Sequence, residues 1–259
     1  MSRPHRQRAS VIDGRRLVVV QDVPQVCPYL PGHTARMPLQ LPLGQVDPDF
    51  TDWVLAFGYR RSGDFVYRTQ CRTCHACQPT RLAVDEFRWS KSFRRVLNRA
   101  DRDLSVRWSD AIVSQNRVDL FNKHRAVRGL DTSDTSVDQE GYHAFLVTSF
   151  GRVDEMTIWD DDRLIGVAIA DVGRDCLSAV YTMFDPDYSR YSLGSYAILK
   201  EIQRAQRERL RYVYLGMYVR DNSHLNYKAR FVPQQRWIDG HWQDVPRSVV
   251  ASRVSSTPA

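Results

Sequence analysis

An α+β fold with a central mixed sheet flanked by helices, preceded by a smaller cysteine-containing lobe, is predicted by three features of the sequence. The second half alternates strand-like and helix-like apolar periods in the order β-α-α-β-β-β-α-β. Prolines at 24, 28, 31, 38, 42 and 48 exclude long regular elements from the N-terminal part. Between these parts lies a short loop, Cys71-x-x-Cys74-x-x-Cys77, whose spacing turns thiolates toward one centre. At 259 residues and 42% hydrophobic content the chain can build a sizeable core, in one large or two modest domains.

Taken in order, residues 1–16 are polar and arginine-rich without periodicity and read as a flexible tail, as do residues 248–259. The Leu-Val-Val-Val run at 17–20 is a first strand. Phe50, Trp53, Val54 and Phe57 recur at helical spacing over 49–57. Residues 64–69 alternate as a strand into the cysteine loop, and 81–84 read as another. Ser90 is an N-cap for a helix to 102, which buries Phe93, Val96, Leu97 and Ala100. Beyond it come a strand at 104–108 and helices at 116–128 and 138–150, each closed by a glycine, with an acidic Ser/Thr-rich loop at 131–138 between them. Strands follow at 154–159, 163–171 and 176–184, joined by Asp160-Asp161-Asp162 and Gly173-Arg174-Asp175. A helix over 192–209 buries Ile198, Leu199, Ile202 and Ala205, and faces Lys200, Arg204 and Arg207 outward. Residues 212–219 form a near-continuous apolar strand, as in a sheet interior. The expected division is a lobe at 17–102, including the basic helix, and a domain at 103–247. The element order is that of the GNAT-type acyltransferase fold, an analogy that does not fix function.

Charge and cysteine content narrow the function classes. Against 30 acidic residues stand 37 basic ones, a net +7, which argues for an anionic partner. No apolar run reaches the roughly 18 residues that span a bilayer, and the N-terminus has no secretory apolar core, so a cytoplasmic protein without a membrane partner is expected. Five cysteines, an odd number, argue against a disulfide framework and leave reduced thiols or a metal site. Cys27, in the proline-rich loop, is the natural fourth donor beside Cys71, Cys74 and Cys77, with His75 as a substitute, while Cys176 falls in a buried strand. Arg60-Arg61 presents rigid donor forks suited to carboxylate or phosphate. Lys91, Arg94, Arg95 and Arg99 make the helix at 90–102 the densest basic surface, one that suits phosphates. Ser192 and Gly194 open the helix at 192–209, where free backbone N–H groups seat a phosphate.

Three motifs together, Gly58-Tyr59-Arg60-Arg61-Ser62-Gly63, the Cys71/Cys74/Cys77 set, and Tyr214-Leu215-Gly216 through Tyr227-Lys228, resemble the aminoacyl-tRNA–protein transferases of the N-degron pathway. The likeness runs from about residue 27 to about 233 and is closer to the short bacterial branch, the aspartate/glutamate leucyltransferases. Leu30 stands where eukaryotic members carry a second N-terminal cysteine. The resemblance implies transfer of leucine from Leu-tRNA to proteins that begin with Asp or Glu, generating a destabilising N-terminus. It places the acidic residue at Tyr59, Arg60, Arg61 and Ser62, with one arginine reading the carboxylate and the other structural or phosphate-binding. It makes Tyr214, Tyr227 and Lys228 the catalytic candidates and leaves the general base unassigned. The acceptor end of the tRNA falls to Lys91, Arg94, Arg95, Arg99, Ser192 and Gly194. Transfer needs no cofactor, although Cys27, Cys71, Cys74 and Cys77 could hold zinc or an iron–sulfur cluster. Two alternatives stand beside it: an arginyltransferase acting on the same termini, and a non-enzymatic zinc-knuckle RNA-binding protein.

Overall fold

Short proline-limited strands satisfy their backbone groups only by collecting into a sheet. The computed structural model describes residues 9–12, 14–44, 46, 48–129 and 136–245, and its N-terminal part does this. It contains β1 (Ala9–Ile12), β2 (Arg15–Gln21), β3 (Gln25–Val26), β4 (Thr34–Ala35), β5 (Leu39–Leu43), helix α1 (Pro48–Ala56), β6 (Arg60–Ser62) and β7 (Phe65–Tyr67). Five of these strands form a sheet in the order β1-β2-β5-β7-β6, and β3 pairs with β4 alone. The tail expected over 1–16 is therefore shorter, because Ala9–Ile12 pairs with Arg15–Val18. Residues 1–8 and 246–259 lie outside the described residues, and so does most of the 131–138 loop.

The larger unit comes next: β8 (Gln78–Ala83), α2 (Lys91–Asp103), β9 (Ser105–Asp110), α3 (Gln115–Val127), α4 (Gln139–Tyr142), β10 (Arg152–Asp160), β11 (Arg163–Val172), β12 (Cys176–Phe184), α5 (Leu193–Glu208), β13 (Tyr212–Tyr218), β14 (Gln234–Ile238) and β15 (His241–Val245). Its eight strands run β15-β14-β8-β13-β12-β11-β10-β9. The two sheets do not divide at the expected boundary near 103. β8 lies inside this sheet, in register with β13, and α2 buries Phe93, Leu97 and Ala100 in the same core as α5.

Helices α2 and α5 cover one face of the sheet over Leu82, Leu177, Val213 and Leu215. Helices α3 and α4 cover the other over Val167, Ile169 and Met183, and α1 with the N-terminal sheet packs beside them on Cys176 and Tyr214. Burying each such side chain is worth about 1.5–3 kcal/mol. Ser90 caps α2 as its position predicts, its hydroxyl accepting from the Phe93 N–H at 3.2 Å. The helix expected over 138–150 is only a turn of α4 followed by a π-helical turn, His143–Val147. Its end is fixed from outside, because the Arg61 guanidinium takes the carbonyls of Leu146 and Thr148. The terminal β14–β15 hairpin, pinned by Trp237 against Trp242, has no counterpart among the expected elements.

The larger sheet opens near its middle. There the parallel strands β12 and β13 pair over Cys176–Ser178 and Tyr212–Tyr214 and then part. Past Ser178 the carbonyls facing the gap need partners from elsewhere.

Candidate active site

The gap between β12 and β13 opens into a cleft of about 590 Å³. Ala179 to Thr182 and Phe184 of β12, Leu215 of β13, Ser192 to Ser195 with Ile198 of α5, and Asn222 to Leu225 with Tyr227 and Lys228 form its walls. His124 and Arg128 close it from α3, and Pro28 and Tyr29 reach in from the loop beside Cys27. Most of the lining is apolar, with polar groups concentrated on the floor and at the mouth.

Lys228 forms part of the floor, and Arg60 lies beneath it. Arg60 Nη2 donates to the Ala179 carbonyl at 2.9 Å, and Lys228 Nζ to the Met217 carbonyl at 3.0 Å. Both cations press on Gly216, where an added Cβ would lie 3.3 Å from Lys228 Nζ and 3.4 Å from Arg60 Nη2. Gly216 also sits at φ +80° beside a register shift in β13, so glycine is required on two counts. Burial and the neighbouring Arg60 charge lower the Lys228 pKa to about 7. Burial raises Tyr227 to about 12, and a nearby carboxylate, Glu201, adds to the effect.

Glu201 is fully buried on α5, one turn beyond Ile198 and two beyond Gly194, and neither of its oxygens has a hydrogen-bond partner among the described residues. Burial raises its pKa to about 8, against the opposing pull of Lys228, Arg204 and Arg60. At the mouth, Arg128 Nη2 donates to His224 Nδ1 at 2.8 Å. That nitrogen is an acceptor, because guanidinium only donates. Burial and Arg128 both lower His224, and burial pulls His124 down to about 4, so both rings are neutral near pH 7.

The candidate residues divide sharply. Tyr227, Lys228, Ser192 and Gly194 line the cleft, and Arg60 lies beneath it. Arg61 does not reach it. Its side chain is 1% exposed, and its fork is spent on the Asp171 carboxylate (2.7 Å) and two backbone carbonyls, so it is the structural member of the pair. Tyr59 packs in the α1 core beneath the Arg68 guanidinium, and Ser62 is a half-buried residue of the β6–β7 hairpin. The catalytic assignment of Tyr214 is also corrected. Neighbours on a strand point to opposite faces, and Tyr214 points away from the cleft into the α1 core, its hydroxyl held by Arg81 at 3.3 Å.

Lys91, Arg94, Arg95 and Arg99 are exposed along α2. Arg99 donates to the Arg190 carbonyl at 2.8 Å, which ties the basic face to the turn that opens α5. Arg204, expected to face outward, is buried instead, paired with Asp154 and stacked 4.4 Å over Trp108. Tyr29, His124, Arg128 and Glu201 were not among the expected site residues. Glu201 left a trace in the sequence, as an acid beside Ile202 on the apolar side of its helix; the other three left none.

Cys27, Cys71, Cys74 and Cys77 are half-buried free thiols. Burial pushes Cys77 up to about 12, and the charges of Cys27, Cys71 and Cys74 add to it. Among the described residues no three His, Cys, Asp or Glu side chains are arranged to hold an ion.

A family model described as "Arginine-tRNA-protein transferase, N terminus" matches residues 25–95, and its C-terminal counterpart matches residues 116–238. The chain is 34% identical over 233 residues to an aspartate/glutamate leucyltransferase of Acinetobacter baumannii, covering 90% of this chain and 86% of that one. It is 35% identical to one from Marinobacter nauticus, over 89% and 97% of the two chains. Among solved structures FemX shares a loose likeness, with TM-score 0.44 and 7% identity over 81% of this chain and 80% of that one. The chain belongs to the arginine-tRNA–protein transferase family, and its curated relatives are aspartate/glutamate leucyltransferases.

Proposed function

We propose that this protein is an aminoacyltransferase that moves leucine from Leu-tRNA to the α-amino group of proteins beginning with Asp or Glu, in the cytoplasm, on a GNAT-like sheet. The observation that carries the reading is the cleft at the parting of β12 and β13, apolar in its walls and cationic on its floor, in a chain that matches leucyltransferases along most of its length. Leu193, Ile198, Leu215 and Phe184 offer a leucyl side chain an apolar berth, whereas arginine would need an acidic one. Arg60 is the cation proposed to draw the acceptor's carboxylate. The start of α5 at Ser192 and Gly194 and the face of α2 hold the tRNA phosphates.

The chemistry exchanges an activated ester for an amide, so no cofactor takes part. An α-amino group with a pKa of about 7.7–8.0 needs only a weak base to expose its lone pair. Holding amine and ester in register can supply about 7–11 kcal/mol. Lys228 and Tyr227 are the groups at the reacting centre. Thiolates suit a soft metal in kind, but among the described residues no three of Cys27, Cys71, Cys74 and Cys77 are arranged to hold zinc or an iron–sulfur cluster.

The test is to incubate the purified protein with an Asp-initial peptide and labelled Leu-tRNA or Arg-tRNA. Leucine alone should move. Transfer of arginine would replace the donor, and transfer of neither would leave a binding protein. Neutralising Lys91, Arg94, Arg95 and Arg99 should flatten the salt dependence of tRNA binding, with up to about 3 lost from its logarithmic slope. An unchanged slope would return that face of α2 to the solvent.

A further inference from the structure

Donors without acceptors gather at the cleft mouth. Among the described residues no Asp or Glu lines the cleft, whereas Arg128 and His224 both do. The Arg128 guanidinium stands over the Phe184 ring, 5.5 Å from its centroid, and Nη2 donates to His224 Nδ1 at 2.8 Å. That is the one hydrogen bond the guanidinium makes among the described residues, so Nε and Nη1 keep their protons for a ligand. The same bond decides the histidine. With Nδ1 accepting, the neutral ring carries its proton on Nε2, and His224 becomes a donor as well. Its backbone is fixed in turn. The His224 N–H donates to Asn222 Oδ1 at 2.9 Å, and Asn222 Nδ2 donates to the Tyr29 carbonyl at 2.8 Å. Two donor side chains, each held in place before a ligand arrives and with no acid beside them, make a seat for a small planar anion.

We infer that Arg128 and His224 hold the side-chain carboxylate of the acceptor's first residue, and so set the preference for Asp and Glu over their amides. The assignment rests on the aminoacyl-transfer reading and deepens it. Arg60 is 7% exposed and lies beneath the floor with Nη2 tied to the Ala179 carbonyl, so it lends its charge to the cleft without touching the acceptor. Arg128 supplies the directed bonds. Asn or Gln would turn an NH2 group against one of these donors, an opposition that a site built of hydrogen-bond donors rejects. A tRNA phosphate is the competing anion. The carboxylate is favoured because α2 and α5, which carry the phosphate-facing groups, cover the opposite face of the sheet from α3, which carries Arg128.

The test is leucyl transfer by the intact protein to two peptides that differ only in a first residue of Asp or Asn, with tRNA affinity measured separately. Arg128→Gln should raise KM for the Asp-initial peptide about 10- to 100-fold and bring the two peptides toward parity, while tRNA affinity stays. Arg128→Lys keeps the charge but loses the fork, and should restore only part of the discrimination. His224→Phe should weaken the Asp preference by about 10-fold. Should Arg128→Gln fail to fold, the other two variants carry the same ratio test. A preference for Asp over Asn that survives these substitutions would overturn the proposal. Weaker tRNA binding with an unchanged KM for peptide would overturn it too, and make the pair a phosphate seat. A wild-type protein that moves no leucine would sink the transfer reading. The carboxylate seat is then judged on equilibrium binding of the same peptides: tighter binding of the Asp peptide, lost in Arg128→Gln, keeps it, and equal binding removes it.

Discussion

Two buried charge clusters lie on either side of one short strand. Arg61 points to one face, where each of its three side-chain nitrogens donates, to Asp171 and to two carbonyls. Arg60, its neighbour, turns to the other, where Lys228 and the unpartnered Glu201 share the interior. Both clusters place charge out of water, yet only the first is closed by hydrogen bonds. A closed cluster fixes architecture, because neither partner can change protonation without losing the other. An open cluster is poised to change protonation, which is what a site that handles a proton requires.

The largest expected effect breaks the closed cluster. Arg61→Gln strands the Asp171 carboxylate and should cost about 3–5 kcal/mol of stability in denaturant unfolding. Replacing both partners by apolar residues should recover most of it. A mild Arg61→Gln phenotype would erase the distinction between the clusters. Next, Lys228→Met should fold normally and lower transfer by about 10²–10⁴-fold in single-turnover assays. Retained activity would leave the open cluster without a chemical role.

A third effect is a slope. The folded state holds the Glu201 proton up to about pH 8, whereas the unfolded chain releases it near 4.5. The stability this proton provides is complete below 4.5 and is lost as pH rises to about 8. Glu201→Gln should therefore gain on the wild-type protein across that window, by at most ~1.4 kcal/mol per pH unit. Parallel stability curves would mean that Glu201 ionises freely. The smallest effect is a reference point outside both clusters. Ser90→Ala removes one cap from α2 and should cost about 1 kcal/mol without touching transfer.

Much of the fold was legible because period and punctuation report local structure. The Ser90 cap, the Phe93/Leu97/Ala100 stripe, and the three strands from 152 to 184 with their tight turns all arise from nearest neighbours along the chain. Of the candidate site residues, Tyr227, Lys228, Ser192 and Gly194, on a loop or a helix start, line the cleft, and Arg60, on β6, lies beneath it. β13 is apolar on both faces, so nothing in Tyr214-Leu215 tells which residue meets the cleft; the layers packed on the sheet decide it. Nor does Arg60-Arg61 say which arginine closes a structural pair, since Asp171 lies 110 residues away. Arg204 defies its helical pattern for the same reason, its partner Asp154 coming from a distant strand.

The parting of β12 and β13 has an outcome for how the cleft can vary. Its two floor cations are moored to main-chain oxygens, those of Ala179 and Met217, rather than to side chains. The sign of the field inside thus depends on the path of the backbone and survives exchange of the surrounding walls. Substrate preference can drift by resculpting Leu193, Ile198 or Phe184, while a residue inserted in β13 next to Gly216 would shift its alternation and dislodge the positive floor altogether.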